Sequence, residues 1–196
     1  MRRVTSDQLD GMIAKAKDFL NFACVRVAGL PSKDLRIRIA KRFFSIAAQH
    51  FGAMTILIEN GDFDSSALSL LRSLIEAHSK GMWVLTRASE NDLTQIQRRN
   101  FDFSQPICAY ETRRLPDDLR EILLDLDHGG GSRAAFQGDE EGPVGPFVID
   151  LQSTELLVML SANDMATLAE ALCSCCQQFD NGKEIVKRFT NAFLTI

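Results

Sequence analysis

Tryptophan and tyrosine occur once each in this chain of 196 residues, and proline five times. Phenylalanine, present 13 times, is therefore the main aromatic. That balance suits a packed core better than a platform for stacking bases. There is no Walker loop, EF-hand loop, His-Glu-x-x-His or paired Cys-x-x-Cys, so metal chemistry and nucleotide hydrolysis have no motif to rest on. No cofactor and no metal are expected. Long apolar runs are also missing. The longest uncharged run is the 16 residues Phe43 to Ile58, which include Gln49 and His50. A membrane span needs about 20 predominantly apolar residues, so the run reads as a core helix and no membrane is expected. Met1-Arg2-Arg3 leads into polar residues and not into an apolar signal segment, which makes the cytoplasm the expected location. The five cysteines are odd in number and irregular in spacing, a poor disulfide framework. Reduced thiols buried as small hydrophobes explain them better. Cys173 and Cys176 have Cys-x-x-Cys spacing, but inside a helical pattern and without a second ligand pair.

What is present is an ordinary globular composition, 45% hydrophobic and 24% charged. The length is enough for a core without staples and predicts one domain over residues 1–196. Net charge is -4, unevenly spread: residues 1–60 hold ten basic and five acidic side chains, and the remainder carries -9. Such asymmetry means either an anion-binding face near the start or opposite faces of one bundle that attract each other.

Nearly every segment repeats at helical period. Thr5 or Ser6 caps a first helix with Leu9, Met12, Ile13, Ala16, Phe19, Ala23 and Val27 inward, ended by Gly29-Leu30-Pro31. Ser32 caps a second helix to about Asn60-Gly61, with a heptad seam at Ile39, Phe43, Ile46, His50, Ala53 and Leu57. A third begins at Asp64 or Ser65 and fades near Ser89. A fourth starts near Glu90 and runs until Pro106 kinks it. A short fifth follows Pro116 and stops at Gly129-Gly130-Gly131. Residues 129–152 form a Gly/Pro-rich loop, helix resumes from about Ser153 to Phe179, and a last helix begins near Gly182. The expected fold is all-α: an antiparallel bundle of about six or seven helices.

Candidate chemistry gathers on the third helix. Ser65, Ser69, Arg72, Glu76, Ser79 and Trp83 share a stripe beside its apolar one, and Arg72 and Glu76 are an i,i+4 pair. They form either an anion site, with Glu76 orienting Arg72, or a structural ion pair between packed helices. His128 stands at a helix end before three glycines, where it serves as general acid or base or as a charged cap. His50, on the seam, reads as a core histidine. The basic group Lys33, Arg36, Arg38, Lys41 and Arg42 spreads around its helix. Only Arg38 and Arg42, with Ser45 and Gln49, stack in one stripe, read as a solvated face.

The segments Gly61-Asp62-Phe63-Asp64-Ser65-Ser66-Ala67, Leu71-Arg72-Ser73-Leu74-Ile75-Glu76-Ala77 with Trp83, and Leu123-Leu124-Asp125-Leu126-Asp127-His128-Gly129-Gly130 occur in this order ahead of Ala162-Asn163. The order resembles a bacterial helical family known only as a domain of unknown function, over about residues 40–190. That family is similar in outline to HEPN-like and abortive-infection proteins of bacterial defence and toxin systems. The resemblance implies an all-α bundle with Arg72, Glu76 and His128 as the matched polar positions. Arg72 and His78 also have the Arg-x4–6-His spacing of HEPN ribonucleases, but in a continuous helix they point about 120° apart, with His78 at the edge of the core. Two functions follow as expectations. One is an RNA-directed protein of a defence or toxin-antitoxin module, in which Arg72 holds a phosphate, Glu76 fixes Arg72, and His128 is the general acid/base. The other is a non-enzymatic interaction module, a homodimer or the binder of a cognate protein partner.

Overall fold

The computed structural model describes residues 6–60, 65–103 and 151–194. Among them the backbone forms six α-helices and no strand: α1 (Ser6–Ala28), α2 (Leu35–Glu59), α3 (Ser65–Thr86), α4 (Glu90–Gln97), α5 (Leu151–Cys175) and α6 (Phe179–Phe193). The fold is all-α. The expected fifth helix, the loop up to residue 150, His128, Cys108, Pro106 and Pro116 lie outside the described residues.

Helix α1 follows its sequence pattern closely. Every residue of the expected stripe, from Leu9 to Val27, is buried. The helix closes as Gly29 N–H donates to the Val25 carbonyl, and Pro31 cannot extend the ladder. In α2 the pattern is shifted. The N-cap is Asp34 and not Ser32: its carboxylate accepts from the Arg36 N–H at 2.7 Å. The Ser32 hydroxyl accepts from Lys41 Nζ instead. The buried seam is Ile37, Ala40, Phe44, Ala47, Phe51, Met54 and Ile58; of the expected seam Ile39 is buried, Phe43, His50, Ala53 and Leu57 are half-buried, and Ile46 is 41% exposed. The reason is that α2 packs against α1, α3, α4 and α5. A helix with neighbours on several sides is apolar around most of its surface, and periodicity alone does not choose between two adjoining apolar stripes.

Four long helices, α1, α2, α3 and α5, make the bundle, with α6 laid on α1 and α5 and α4 on α2. Side-chain pairings set the directions. Lys17, midway along α1, meets Glu59 near the end of α2, and Ala28 at the end of α1 meets Lys41 near the start of α2, so these two are antiparallel. Arg36, at the start of α2, donates to the Val84 carbonyl near the end of α3, so α3 runs against α2 as well. Helix α5 meets α2 through Ser161 and Met54 and, further along, lays Leu168 on Gly81 and Phe43. It therefore runs with α3 and against α2. At Gly81 side chains of α2 and α5 both press close on α3. A Cβ there would stand 2.9 Å from Leu168 Cδ1 and 3.3 Å from Phe43 Cβ.

Helix α4 opens on a capping box: the Asp92 N–H donates to Ser89 Oγ, and the Asp92 carboxylate accepts from the Ser89 N–H. It ends at Gln97, well short of Pro106, because Arg99 adopts a left-handed conformation (φ 61°). The chain then returns Phe101 and Phe103 to Trp83. Helix α5 ends in the same way at Gln177 (φ 59°), so α6 starts at Phe179, earlier than Gly182. Phe189 and Phe193 of α6 pack edge-on against Phe19. The Thr154–Cys175 stretch of α5 is long and apolar enough to cross a membrane by length and composition alone, and 56% of its most apolar window is buried within the bundle.

Candidate functional site

Helix α3 carries the predicted pair. Its buried face is Leu71, Leu74, Ile75, Ala77, His78, Ser79, Val84 and Leu85, which follows from contact with α2 on one flank and α5 on the other. Arg72 falls outside that face. Its Nε lies 3.5 Å from Glu76 Oε1, with side chains 44% and 39% exposed. Lys80, one turn further on, donates to the other Glu76 oxygen at 3.1 Å. Among the described residues a single carboxylate thus sits between two cations along a partly exposed ridge. At this exposure each pair contributes at most about 1 kcal/mol. Lys80 was not among the predicted residues, although its spacing from Glu76 repeats that of Glu76 from Arg72.

The ridge runs into an aromatic group. Lys80 Nζ lies 5.7 Å from the centre of the Phe103 ring, a cation–π distance. Phe103 packs edge-on against Trp83, Phe101 and Phe43. Trp83, Phe101 and Phe103 are half-buried. The described polar residues and these rings together offer a solvent-facing surface of two cations and three partly exposed aromatics.

His78 is on another side of the same helix, as a continuous α3 requires. Its side chain is 2% exposed, and its Nε2 lies 3.0 Å from Thr167 Oγ1 of α5. The Thr167 hydroxyl donates to the Asp164 carbonyl at 3.1 Å, so its oxygen accepts from His78 Nε2–H. Nδ1 faces the Asp164 carboxylate at 3.9 Å, beyond hydrogen-bond length. His78 is therefore fully in the core and not at its edge, and it does not meet Arg72 on a common surface. Asp164 and Thr167 come from a helix far along the chain, and no local sequence signal pairs them with His78.

His50 is half-buried and lies off the main seam of α2. His128 lies outside the described residues, so the predicted Arg72–Glu76–His128 set is described for Arg72 and Glu76 alone. Of the basic group on α2, Arg36 binds the Val84 carbonyl and Glu90, and Lys41 caps the end of α1 through the Ala28 and Leu30 carbonyls. Arg38 and Arg42 are exposed. The described cysteines are free thiols. Burial pushes Cys173 up to about 11, helped by the neighbouring Cys176, and burial raises Cys24, Cys175 and Cys176 as well. These are poor nucleophiles, and no cluster of three potential metal ligands occurs among the described residues.

A model of a family of unknown function (DUF6988) matches residues 44–109. The window holds most of α2, all of α3 and α4, and hence Arg72, Glu76, His78, Lys80 and the aromatic group, but not His128. It is narrower than the resemblance read over about residues 40–190, and it lends no support to the HEPN-like part of that resemblance. No curated protein and no solved structure matches the chain.

Proposed function

We propose that this chain is a helical interaction module that acts by binding, as a homodimer or with a cognate protein partner. The observation that supports this reading is the use made of the polar side chains of α3. Glu76 is held between Arg72 and Lys80, Lys80 lies against Phe103, and His78 is bonded to Thr167 inside the core. The Lys80–Phe103 and His78–Thr167 contacts fasten α3 to the 101–103 segment and to α5, while the two Glu76 pairs run along α3 itself, and the ridge they leave is held in place, which is what a binding face requires.

A second reading keeps the RNA-directed protein of a bacterial defence or toxin-antitoxin module. Arg72 would hold a phosphate, Glu76 would fix Arg72, and His128 would be the general acid/base. The observation that favours it is the half-exposed Arg72 and Lys80 beside Trp83, Phe101 and Phe103, because cations next to aromatic faces suit single-stranded RNA. Incubation of the purified chain with labelled RNA, with and without EDTA, separates the two. The interaction module predicts no cleavage by folded protein. Cleavage that survives EDTA and disappears in both Arg72→Ala and His128→Ala would replace it with a metal-free nuclease. Light scattering on the same samples reads the oligomeric state.

A further inference from the structure

The outer surface between α1 and α2 is a groove with a volume of about 460 Å3, lined by Cys24, Val27, Ala28, Phe44, Ser45 and Ala48, with Lys41 and Gln49 at its edge. Its floor is apolar: Val27, Phe44 and Ala48 are buried core residues. Small side chains along both walls let a third helix approach closely. The ammonium of Lys41 is held by the Ala28 and Leu30 carbonyls and the Ser32 hydroxyl, so it closes one end of the groove as structure.

The rims carry two further features. At 100° per residue Arg38, Arg42, Gln49 and Ile56 fall on the α2 rim. Arg38 and Arg42 are exposed, and among the described residues no carboxylate lies within ion-pair distance of either. No acidic residue occurs on α2 before Glu59. A large apolar side chain also stands in solvent on this rim: Ile56 is 53% exposed. An apolar groove with an exposed apolar residue on its rim and an unneutralised pair of arginines four residues apart is complementary to one kind of surface.

We infer that this groove docks an acidic amphipathic helix of a partner protein, its apolar face along Cys24, Ala28 and Ala48, above the buried Val27 and Phe44, and two carboxylates four residues apart against Arg38 and Arg42. The inference rests on the interaction-module reading and names its surface. The charge complement decides the occupant. A second copy would bring the same basic rim to a two-fold contact and set like charges against each other.

The test uses a fluorescein-labelled synthetic helix of about 20 residues with leucines at helical spacing and glutamates flanking them, and the same helix with lysines in place of the glutamates. Fluorescence anisotropy against the whole chain should show saturable binding of the glutamate helix alone. Arg38→Glu/Arg42→Glu should weaken it by about tenfold or more, and Ser45→Trp, at an exposed wall position, should abolish it. Circular dichroism of both variants should match the parent, since both changes are on the surface. The proposal is overturned by no saturable binding, by equal binding of the two helices, by binding that ignores Ser45→Trp, or by a dimer of the chain that Ser45→Trp dissociates. Absence of helix binding without RNA cleavage sinks the groove alone, whereas cleavage sinks the module reading.

Discussion

Two glycines in helices show how one substitution takes opposite signs. A Cβ at Gly11 of α1 meets nothing within 4 Å. Gly11→Ala therefore gains helix propensity and reduces unfolded-state freedom, and it should stabilise the chain by about 1 kcal/mol. At Gly81 the same gain is opposed by the 3.3 Å approach to Phe43 Cβ, an atom anchored to the backbone that cannot rotate aside. Overpacking costs about 1–3 kcal/mol, so Gly81→Ala should be destabilising on balance. Urea unfolding of the two variants should move the midpoint in opposite directions; a stabilised Gly81→Ala would mean that Leu168 and Phe43 have room to yield. Thiol chemistry is also read residue by residue. With its thiol raised to about 11 by burial, Cys173 should resist alkylation at neutral pH and be labelled only on unfolding, while the exposed Cys175 is labelled first. Mass spectrometry after a timed iodoacetamide pulse measures the order. Equal rates at the two positions would revive a reactive Cys173–Cys176 pair.

At the scale of elements, helix ends decided what was legible. Helices α4 and α5 both close with the pair of bonds that mark a left-handed turn. After α4, Asn100 N–H donates to the Gln95 carbonyl and Arg99 N–H to Ile96; after α5, Gln178 N–H donates to Cys173 and Gln177 N–H to Ser174. The turning residue is Arg99 in one and Gln177 in the other, with φ of 61° and 59°. Glycine is the usual signal at such a position, and neither turn has it, so periodicity alone carries α4 on to Pro106 and starts α6 only at Gly182. Left-handed backbone costs an L-residue about 1–2 kcal/mol, part of which glycine's extra unfolded freedom offsets. Arg99→Gly and Gln177→Gly should each therefore stabilise the chain by about 0.5–1 kcal/mol in thermal unfolding. The α1 stripe was legible in full because the face opposite it is polar or small apart from Val25. The α2 seam was not, because its flanks are apolar too. In the candidate site, the Arg72–Glu76 pair was legible because it is local to one turn, and the His78–Thr167 contact was not, because it joins two helices distant in sequence. The capping box of α4 yields a pH prediction. Hydrogen bonds from Ser89 hold the Asp92 carboxyl below its usual 3.8. A lowered carboxyl pKa supports the folded state above the unfolded value, and the support is lost as pH falls through the folded one. An NMR titration should place Asp92 below 3.8, and Ser89→Ala, which removes the hydroxyl but keeps the backbone N–H that is the larger cause, should raise it only part of the way back.

For the whole molecule, the question is what the basic first third does. Of its cations, Arg26 reaches Glu184 and Arg36 reaches Glu90, so among the described residues two ion pairs join residues 1–60 to the acidic remainder. Self-attraction of opposite faces is therefore real but limited, and Arg38 and Arg42 remain outside it. Both Glu184 and Glu90 are largely exposed, at 51% and 86%, so each pair contributes no more than about 1 kcal/mol and is open to screening. The core is a separate matter. Phe19, Phe51, Met54, Leu74, Leu168 and Leu172 are essentially inaccessible, and salt strengthens apolar burial if it acts on it at all. Raising salt from about 0.05 M to about 1 M, which shortens the screening length several-fold, should accordingly change the stability of the folded chain by less than about 1 kcal/mol. Over the same range the affinity of the acidic helix for the α1/α2 groove should fall steeply, because two arginines exposed to solvent face its carboxylates. A melting series and an anisotropy series in matched buffers read both quantities. A stability that collapses with salt would show that charge attraction between the two parts of the chain holds the bundle together, and would leave the basic rim without a role of its own.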